Sequence, residues 1–308
     1  MNEAVVWRDL NPKVKRGVLG AMNNMSVVDG VAYDTNGNDI STLIDIKPKL
    51  TQKQIDWHKE KEAMEKFEED NGGFVFAFFR QSRMLEERFS SLNSQDMVRL
   101  MFIGSYTSWK DGCLKYENGR HIKKGGLHEL LKMSRNRFNA FYNRLTDEGI
   151  IVANGDGELF MNPSVFYRGS IKEYAYKTDD LQYTRMFRKT VRDLYEAYNG
   201  RSLGQLALVY AVMPFVNFKT NIVAFNPEET DEKNVRPMPL EKLAILLGYA
   251  SVKKLKPALN RVKIDDQPVF GFFENPHDRR SIRTVVNPRA IFGAGAKELS
   301  AISALFNL

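Results

Sequence analysis

Residues 127–145 read Leu127-His128-Glu129-Leu130-Leu131-Lys132-Met133-Ser134-Arg135-Asn136-Arg137-Phe138-Asn139-Ala140-Phe141-Tyr142-Asn143-Arg144-Leu145. Leu127, Leu130 and Leu131 have the spacing of a short amphipathic helix. Lys132-Met133-Ser134 is a tight turn, and Ser134 is a residue type that caps helix N-termini. A second helix is expected from Arg135 to Asp147, burying Phe138, Phe141, Tyr142 and Leu145 and ending at Gly149. Ile150-Ile151-Val152 and Glu158 to Met161 then bracket Asn154-Gly155-Asp156-Gly157, a strong hairpin signal.

Upstream, Met97, Leu100, Met101 and Ser105 follow helical spacing behind Ser94, an acceptable N-cap with Asp96 in the first turn. Leu114-Lys115-Tyr116 is a short strand-like piece before the Asn118-Gly119 turn. The order helix, short strand, helix, turn, helix, hairpin is that of a winged helix-turn-helix.

The same order returns downstream. Leu203 to Val212 reads as a helix and Ile222 to Ala224 as a short strand, followed by an acidic loop. Leu240 to Leu247 is the next helix, Gly248-Tyr249-Ala250 the turn, and Ser251 the cap of a helix reaching about Val262. Val269 to Phe273 and Ile282 to Val286 flank a second hairpin. Leu127, Leu130 and Leu131 match Leu243, Leu246 and Leu247; Ser134 matches Ser251; Asn143-Arg144 matches Asn260-Arg261. Asn162-Pro163 after the first hairpin matches Asn287-Pro288 after the second, each followed by an aromatic residue and then a glycine. A degenerate internal duplication accounts for these matches.

The expected fold class is therefore α+β, helix-rich, with two tandem winged helix-turn-helix domains joined by a helix. The domains fall at 1–70 (N-terminal extension and charged segment), 71–176, 177–200 (connecting helix) and 201–308. Residues 51–70 hold seven acids and four lysines and read as an exposed helix or a linker. Phe74 to Phe79 is buried, as a strand or the start of a helix. Val27 to Tyr33 suggests a strand before the Asn36-Gly37-Asn38 turn. Asp180 to Asn199 reads as one helix with Met186, Phe187, Val191, Leu194 and Tyr195 on its apolar face and Arg185, Arg188, Lys189 and Arg192 on its basic one. Trp7, Trp57 and Trp109 read as isolated packing residues.

Second helices of helix-turn-helix units lie in the major groove, where Arg, Lys, Asn and Gln match base edges and phosphates. Once the first unit's core positions are assigned, its opposite face carries Arg135, Asn136, Arg137, Asn139, Asn143 and Arg144. Gly119 to Leu145 holds seven Lys or Arg, among them Lys123 and Lys124, against one acid, Glu129. In the second unit Lys253, Lys254, Lys256, Arg261 and Lys263 fall between Ser251 and Lys263 with no acid, alongside Asn260. Its candidate wing adds His277, Arg279, Arg280, Arg283 and Arg289, with only Asp278 opposing; wing arginines can enter the minor groove or clamp phosphate. Ser134 and Ser251 complete the expected DNA-binding set. Pro257 leaves two readings open: a helix bent there, or one that starts there.

Composition agrees. The 308 residues are 43% hydrophobic and 27% charged with a net charge of +7, which suits a polyanionic partner. The single cysteine, Cys113, cannot staple the fold, and implies a reducing compartment. Met1-Asn2-Glu3-Ala4 has no signal pattern, and Leu206 to Phe218, broken by Pro214 and Asn217, is too short for a membrane span, so a cytoplasmic, nucleoid-associated protein is expected. There is no Gly-x-x-x-x-Gly-Lys-Ser/Thr loop and no His-x-His pair, which argues against a nucleotide-driven motor and a metal-dependent nickase. His58, His121, His128 and His277 are scattered, so no metal site is expected, nor any cofactor or catalytic residue. Asp179-Asp180 and Asp265-Asp266 read as turn or cap residues.

Leu255-Lys256-Pro257-Ala258-Leu259-Asn260 is similar to the Leu-x-Pro-Ala motif in the second winged helix of Rep-type plasmid replication initiators. Phe74 to Gly169, with Ser134-Arg135-Asn136-Arg137-Phe138, resembles replication proteins of Gram-positive plasmids and phages. The chain departs from the initiator motif at Arg261-Val262. The resemblance implies sequence-specific recognition of double-stranded DNA at a phage or plasmid origin, without enzymatic activity, with a homodimer and host replication proteins as further partners. A phage or plasmid transcriptional regulator would use the same fold and contacts. A protein-interaction adaptor is the third class, disfavoured by the near absence of acids from both second helices.

Overall fold

The computed structural model describes residues 11–29, 31–41, 51–80, 88–174, 181–199, 203–275 and 278–307. The chain divides into two compact units, residues 1–57 and 58–308. In the first, helix α1 (Pro12–Asn23) precedes a hairpin of β1 (Ser26–Val28) and β2 (Val31–Tyr33). The Gly37 turn falls where expected, with Gly37 at φ 78°. The helix over Pro12–Asn23 was not expected: its apolar positions are interrupted by glycines and lysines.

The second unit is mixed α+β and holds the main core. Helix α2 (Gln52–Asp70) settles the charged segment as a helix, with Met64 as its buried residue. Strand β3 (Phe74–Arg80) follows. Next come α3 (Ser94–Gly104), α4 (Lys124–Leu131), α5 (Arg135–Asp147), and a hairpin of β4 (Ile151–Ala153) and β5 (Leu159–Met161) closed off by β6 (Phe166–Tyr167). The N-cap of α3 is Asn93 and not the expected Ser94. The Asn93 side chain accepts from the Gln95 and Asp96 amides while Asp96 bonds back to the cap, a reciprocal box that Ser94 is one residue too late to form.

The chain then builds β7 (Leu181–Phe187), α6 (Arg188–Ala197), α7 (Leu203–Val212), α8 (Leu240–Leu246) and α9 (Val252–Asn260). Two short strands, β8 (Lys263–Ile264) and β9 (Gln267–Pro268), pair around Asp265 and Asp266, both at positive φ in the turn expected of them. A long hairpin of β10 (Phe270–Asn275) and β11 (Asp278–Val286) precedes β12 (Ile291–Phe292) and α10 (Ala296–Ala304). Where strands were expected at Leu114 to Tyr116 and Ile222 to Ala224, isolated bridges form at Leu114, Lys115 and Ile222 to Ala224, Thr107 with Leu114 and Val216 with Val223 among them.

The expected single helix over 180–199 is corrected. Its first part is β7, and only Arg188–Ala197 is helical. Leu181 to Phe187 alternates, and Thr184 and Met186 turn to the core with Val75, Ala77 and Phe79 of β3. Phe74, Phe76, Tyr183 and Phe187 stand on the other face, where Phe187 meets Phe67 of α2 edge to face at 5.2 Å.

These strands form one antiparallel sheet in the order β12-β7-β3-β6. Phe76 pairs with Arg185 at its centre. On one side β3 pairs with β6 through Ala77–Phe166 and Phe76–Tyr167; on the other β7 pairs with β12 through Met186–Ile291 and Arg185–Phe292. Half a turn about the Phe76–Arg185 pair therefore exchanges β3 with β7 and β6 with β12. Helices α3 and α7 pack on one another.

The two Asn-Pro turns close by one set of bonds. The Asn162 amide donates to Ile150 O and its Nδ2 to Gly149 O; the Asn287 amide donates to Val269 O and its Nδ2 to Pro268 O. Each side-chain oxygen accepts from the amide two residues on, Ser164 and Arg289. In each half the chain thus runs from a central strand through helices and a hairpin to an Asn-Pro turn and an edge strand.

Candidate nucleic-acid interface

The first candidate helix is α5. Phe138, Phe141 and Leu145 are buried, which at roughly 1.5–3 kcal/mol each fixes the rotation of the helix on the core. Arg135, Asn136, Arg137 and Asn143 are then exposed and Asn139 partly so. None of these five side chains has a hydrogen-bond or ion-pair partner among the described residues. Ser134 is the N-cap but makes no side-chain cap bond.

Arg144 is placed differently from its neighbours. Its Nη2 lies 2.7 Å from Asp96 Oδ2, and the side chain is 32% exposed against 3% for Asp96. Arg99 Nη1 bonds the other Asp96 oxygen at 3.0 Å. Arg144 thus ties the last turns of α5 to the first turn of α3. Lys123 and Lys124, both exposed, open α4, whose N-cap Lys123 makes no side-chain cap bond. The Lys124 ammonium sits 4.3 Å from the centre of the Tyr142 ring.

The hairpin beside α5 is acidic. Asn154 Oδ1 accepts from the Asp156 and Glu158 amides. Glu158 also meets His121 Nδ1, and that contact with the Asn154 bond holds the Glu158 carboxyl below its usual range.

In the second half α9 starts at Val252 and runs through Pro257, so the reading in which a helix begins at Pro257 is overturned. Leu255 and Leu259 are buried; Ser251, Lys253, Lys254, Asn260 and Arg261 are exposed, as is Lys263 at the start of β8. Lys256 is half-buried, its ammonium 5.2 Å from the Phe272 ring centre. Arg283 is half-buried on β11. Arg279 and Arg280 lie in β11 by backbone, and their side chains, with His277, fall outside the described residues. Arg289 bonds Asp265 Oδ2 at 2.7 Å.

The basic face expected along 180–199 is not a surface. Arg185 Nη1 donates to Ala294 O, and its guanidinium covers the Phe74 ring. Arg188 donates to Ser105 O and Gly72 O. Arg192 donates to Ser105 Oγ and O and to Glu117 Oε1, with its guanidinium 3.9 Å from the Tyr106 ring centre. Only Lys189 of the four is exposed. Burial and the neighbouring Arg168 and Arg192 pull the Arg188 pKa down to about 10.

Trp57 and Trp109 are also not the packing residues expected; they are 55% and 56% exposed. Arg168, which the charge pattern did not single out, lies with its guanidinium 5.9 Å from the Trp109 ring centre. Among the described residues no group of His, Cys, Asp and Glu is arranged to hold a metal, and no helix is long and apolar enough to cross a membrane.

No family model matches the chain, and neither a curated protein nor a solved structure matches it.

Proposed function

We propose that this chain binds double-stranded DNA at a specific site through two winged-helix units, with α5 and α9 as the helices that enter the major groove. The observation that carries the reading is the exposed face of α5. Arg135 and Arg137 stand beside Asn136, Asn139 and Asn143 with no internal partner among the described residues, on a helix whose rotation the buried phenylalanines fix. Arginine is suited to guanine O6 and N7 and asparagine to adenine N6 and N7. A solvated helix face usually mixes its signs; this one sets three asparagines and two arginines against a single acid, Asp147, in the last turn.

The two halves differ in how they would grip. The first hairpin carries Asp156 and Glu158, so phosphate repels it and the first half reads through α5. The second half combines Lys253 and Lys254 with a long hairpin bearing Arg279, Arg280 and Arg283, a distribution suited to phosphate clamping. The site is inferred to be a phage or plasmid replication origin, on the similarity of residues 255–260 to the Rep-type initiators.

In vitro selection from a random duplex library tests DNA reading. A single enriched sequence is expected. Arg135→Ala with Arg137→Ala should weaken binding to it and lower the slope of log affinity against log salt by about one for each phosphate contact removed. No enrichment over the input library sinks duplex recognition, and an unchanged affinity and slope remove α5 from the interface. Chromatin immunoprecipitation sequencing in the native host tests the role: one peak at a replicon origin is expected, whereas peaks at several promoters assign the chain to regulation.

A further inference from the structure

The loop that leaves α3 carries Trp109 into solvent. Lys110 beside it takes a left-handed conformation at φ 65°, and the Lys110 amide donates to Arg168 O at 2.7 Å. That bond brings the Arg168 guanidinium over the exposed indole. A tryptophan left more than half exposed forfeits most of its burial energy, roughly 1.5–3 kcal/mol for a large apolar side chain. Its exposure calls for a reason outside the core.

The charge around it is equally one-sided. Lys110 is matched by Glu173 at 2.6 Å, and Arg192 by Glu117 at 2.7 Å. Arg168 has no acceptor among the described residues, and the charged group that acts on it is another arginine, Arg192. Arg188 is within electrostatic reach of both Arg168 and Arg192, and it shares with Arg168 the Gly72-Gly73 turn: Arg188 Nη1 donates to Gly72 O, and the Arg168 guanidinium stands against Gly73. Glu117 thus bonds Arg192 and acts on Arg188 but not on Arg168, and an incoming anion relieves the repulsion that is left.

The neighbouring cavity, lined by Tyr106, Tyr116, Arg120 and Arg192, is a weaker anion site. Glu117, Asp193 and Glu196 also line it and offset its cations. The uncompensated charge lies on the Trp109 side.

We propose that Trp109 and Arg168 form a second nucleic-acid site, one for an unpaired strand, in which the indole stacks on a base, the Arg168 guanidinium holds the adjacent phosphodiester, and Arg188, bonded to the backbone behind it, adds its positive field. Stacking needs a base face free of its neighbours, which a duplex does not offer, while every unpaired base has one. The site is separate from α5 and α9, and it rests on the duplex-binding reading only in taking nucleic acid as the partner class.

Fluorescence anisotropy of the full chain tests it, with labelled oligothymidylate and, separately, the selected duplex. Trp109→Ala and Arg168→Gln are the variants; neither side chain makes a hydrogen bond among the described residues, so the fold is expected to survive, with circular dichroism as the check. Wild type should bind both probes, and each variant should bind the oligothymidylate about tenfold more weakly while holding the duplex as before. Strand binding should also quench tryptophan emission in wild type and much less in Trp109→Phe. Wild type that binds the duplex and not the oligothymidylate overturns this site and leaves the duplex reading intact. Binding to the oligothymidylate alone does the reverse. Variants that bind the strand as tightly as wild type, or displacement of the strand by equimolar thymidine monophosphate, overturn it as well.

Discussion

Lys132 sits where α4 must stop and turn towards α5, and it does so at φ 51° and ψ 36°. The corresponding position after α8 is Gly248 at φ 71°. An L-residue in that region costs roughly 1–2 kcal/mol, which glycine avoids at the expense of greater freedom in the unfolded chain, roughly 0.5–1 kcal/mol. The bond from Lys132 Nζ to Asn199 Oδ1 is exposed, at 3.2 Å, and returns little. Lys132→Gly is therefore expected to stabilise the protein by about 0.5 kcal/mol and to raise Tm by about one degree; calorimetry that finds a lower Tm would show that the lysine bond outweighs the backbone strain. The Asp96 cluster illustrates the opposite case at the same scale. Arg144 looked like its helix neighbours because nothing within α5 marks it, and the carboxylate that holds it lies on α3, outside any local window. Trp109 read as a packing residue and Arg168 was not singled out for the same reason: they are distant in sequence, and the Lys110–Arg168 backbone bond that joins them leaves no pattern.

Elements were legible where burial imposes a period. Phe138, Phe141 and Leu145 gave α5 and its exposed face together, and Asn154-Gly155-Asp156-Gly157 placed the first hairpin. The boundary between β7 and α6 was not legible because Phe187, Val191, Leu194 and Tyr195 extend a real helical spacing back across it. No glycine or proline marks the junction, and only pairing with β3, set by a strand more than a hundred residues earlier, makes Leu181 to Phe187 extended. Pro257 is the counterexample, a breaker that the helix overrides. Leu255 and Leu259 are fully buried on either side of it, and their packing offsets the bond to the Lys253 carbonyl that proline cannot donate. Pro257→Ala restores that donor at an exposed position. The intrinsic difference is about 3 kcal/mol in a helix interior; in a helix already held by two leucines, a gain of about 1–2 kcal/mol is expected from urea unfolding at unchanged m-value. A loss would mean that the proline ring makes a packing contribution larger than the missing bond.

At the scale of the molecule the central sheet governs what the two halves can do separately. β3 and β7 are each other's partners, so neither half closes its own core strand, and the half-turn about Phe76–Arg185 relates the strands of one half, β3 and β6, to those of the other, β7 and β12. Two-fold symmetry in a DNA-binding protein is mirrored in its site. Here the symmetry is within one chain and the two helices differ: α5 offers arginine and asparagine, α9 lysine. On the proposed duplex reading, a single chain should accordingly read two half-sites of inverted orientation and unlike sequence. Hydroxyl-radical footprinting on the selected duplex measures this directly. Wild type is expected to protect two segments about one helical turn apart, the usual spacing of paired recognition helices, roughly 34–36 Å. Arg135→Ala with Arg137→Ala should erase protection of one segment, and Lys253→Glu with Lys254→Glu that of the other, because each pair belongs to one half of the sheet. If both pairs erase the same segment, α5 and α9 share a single groove, and the internal symmetry of the fold does not extend to the DNA.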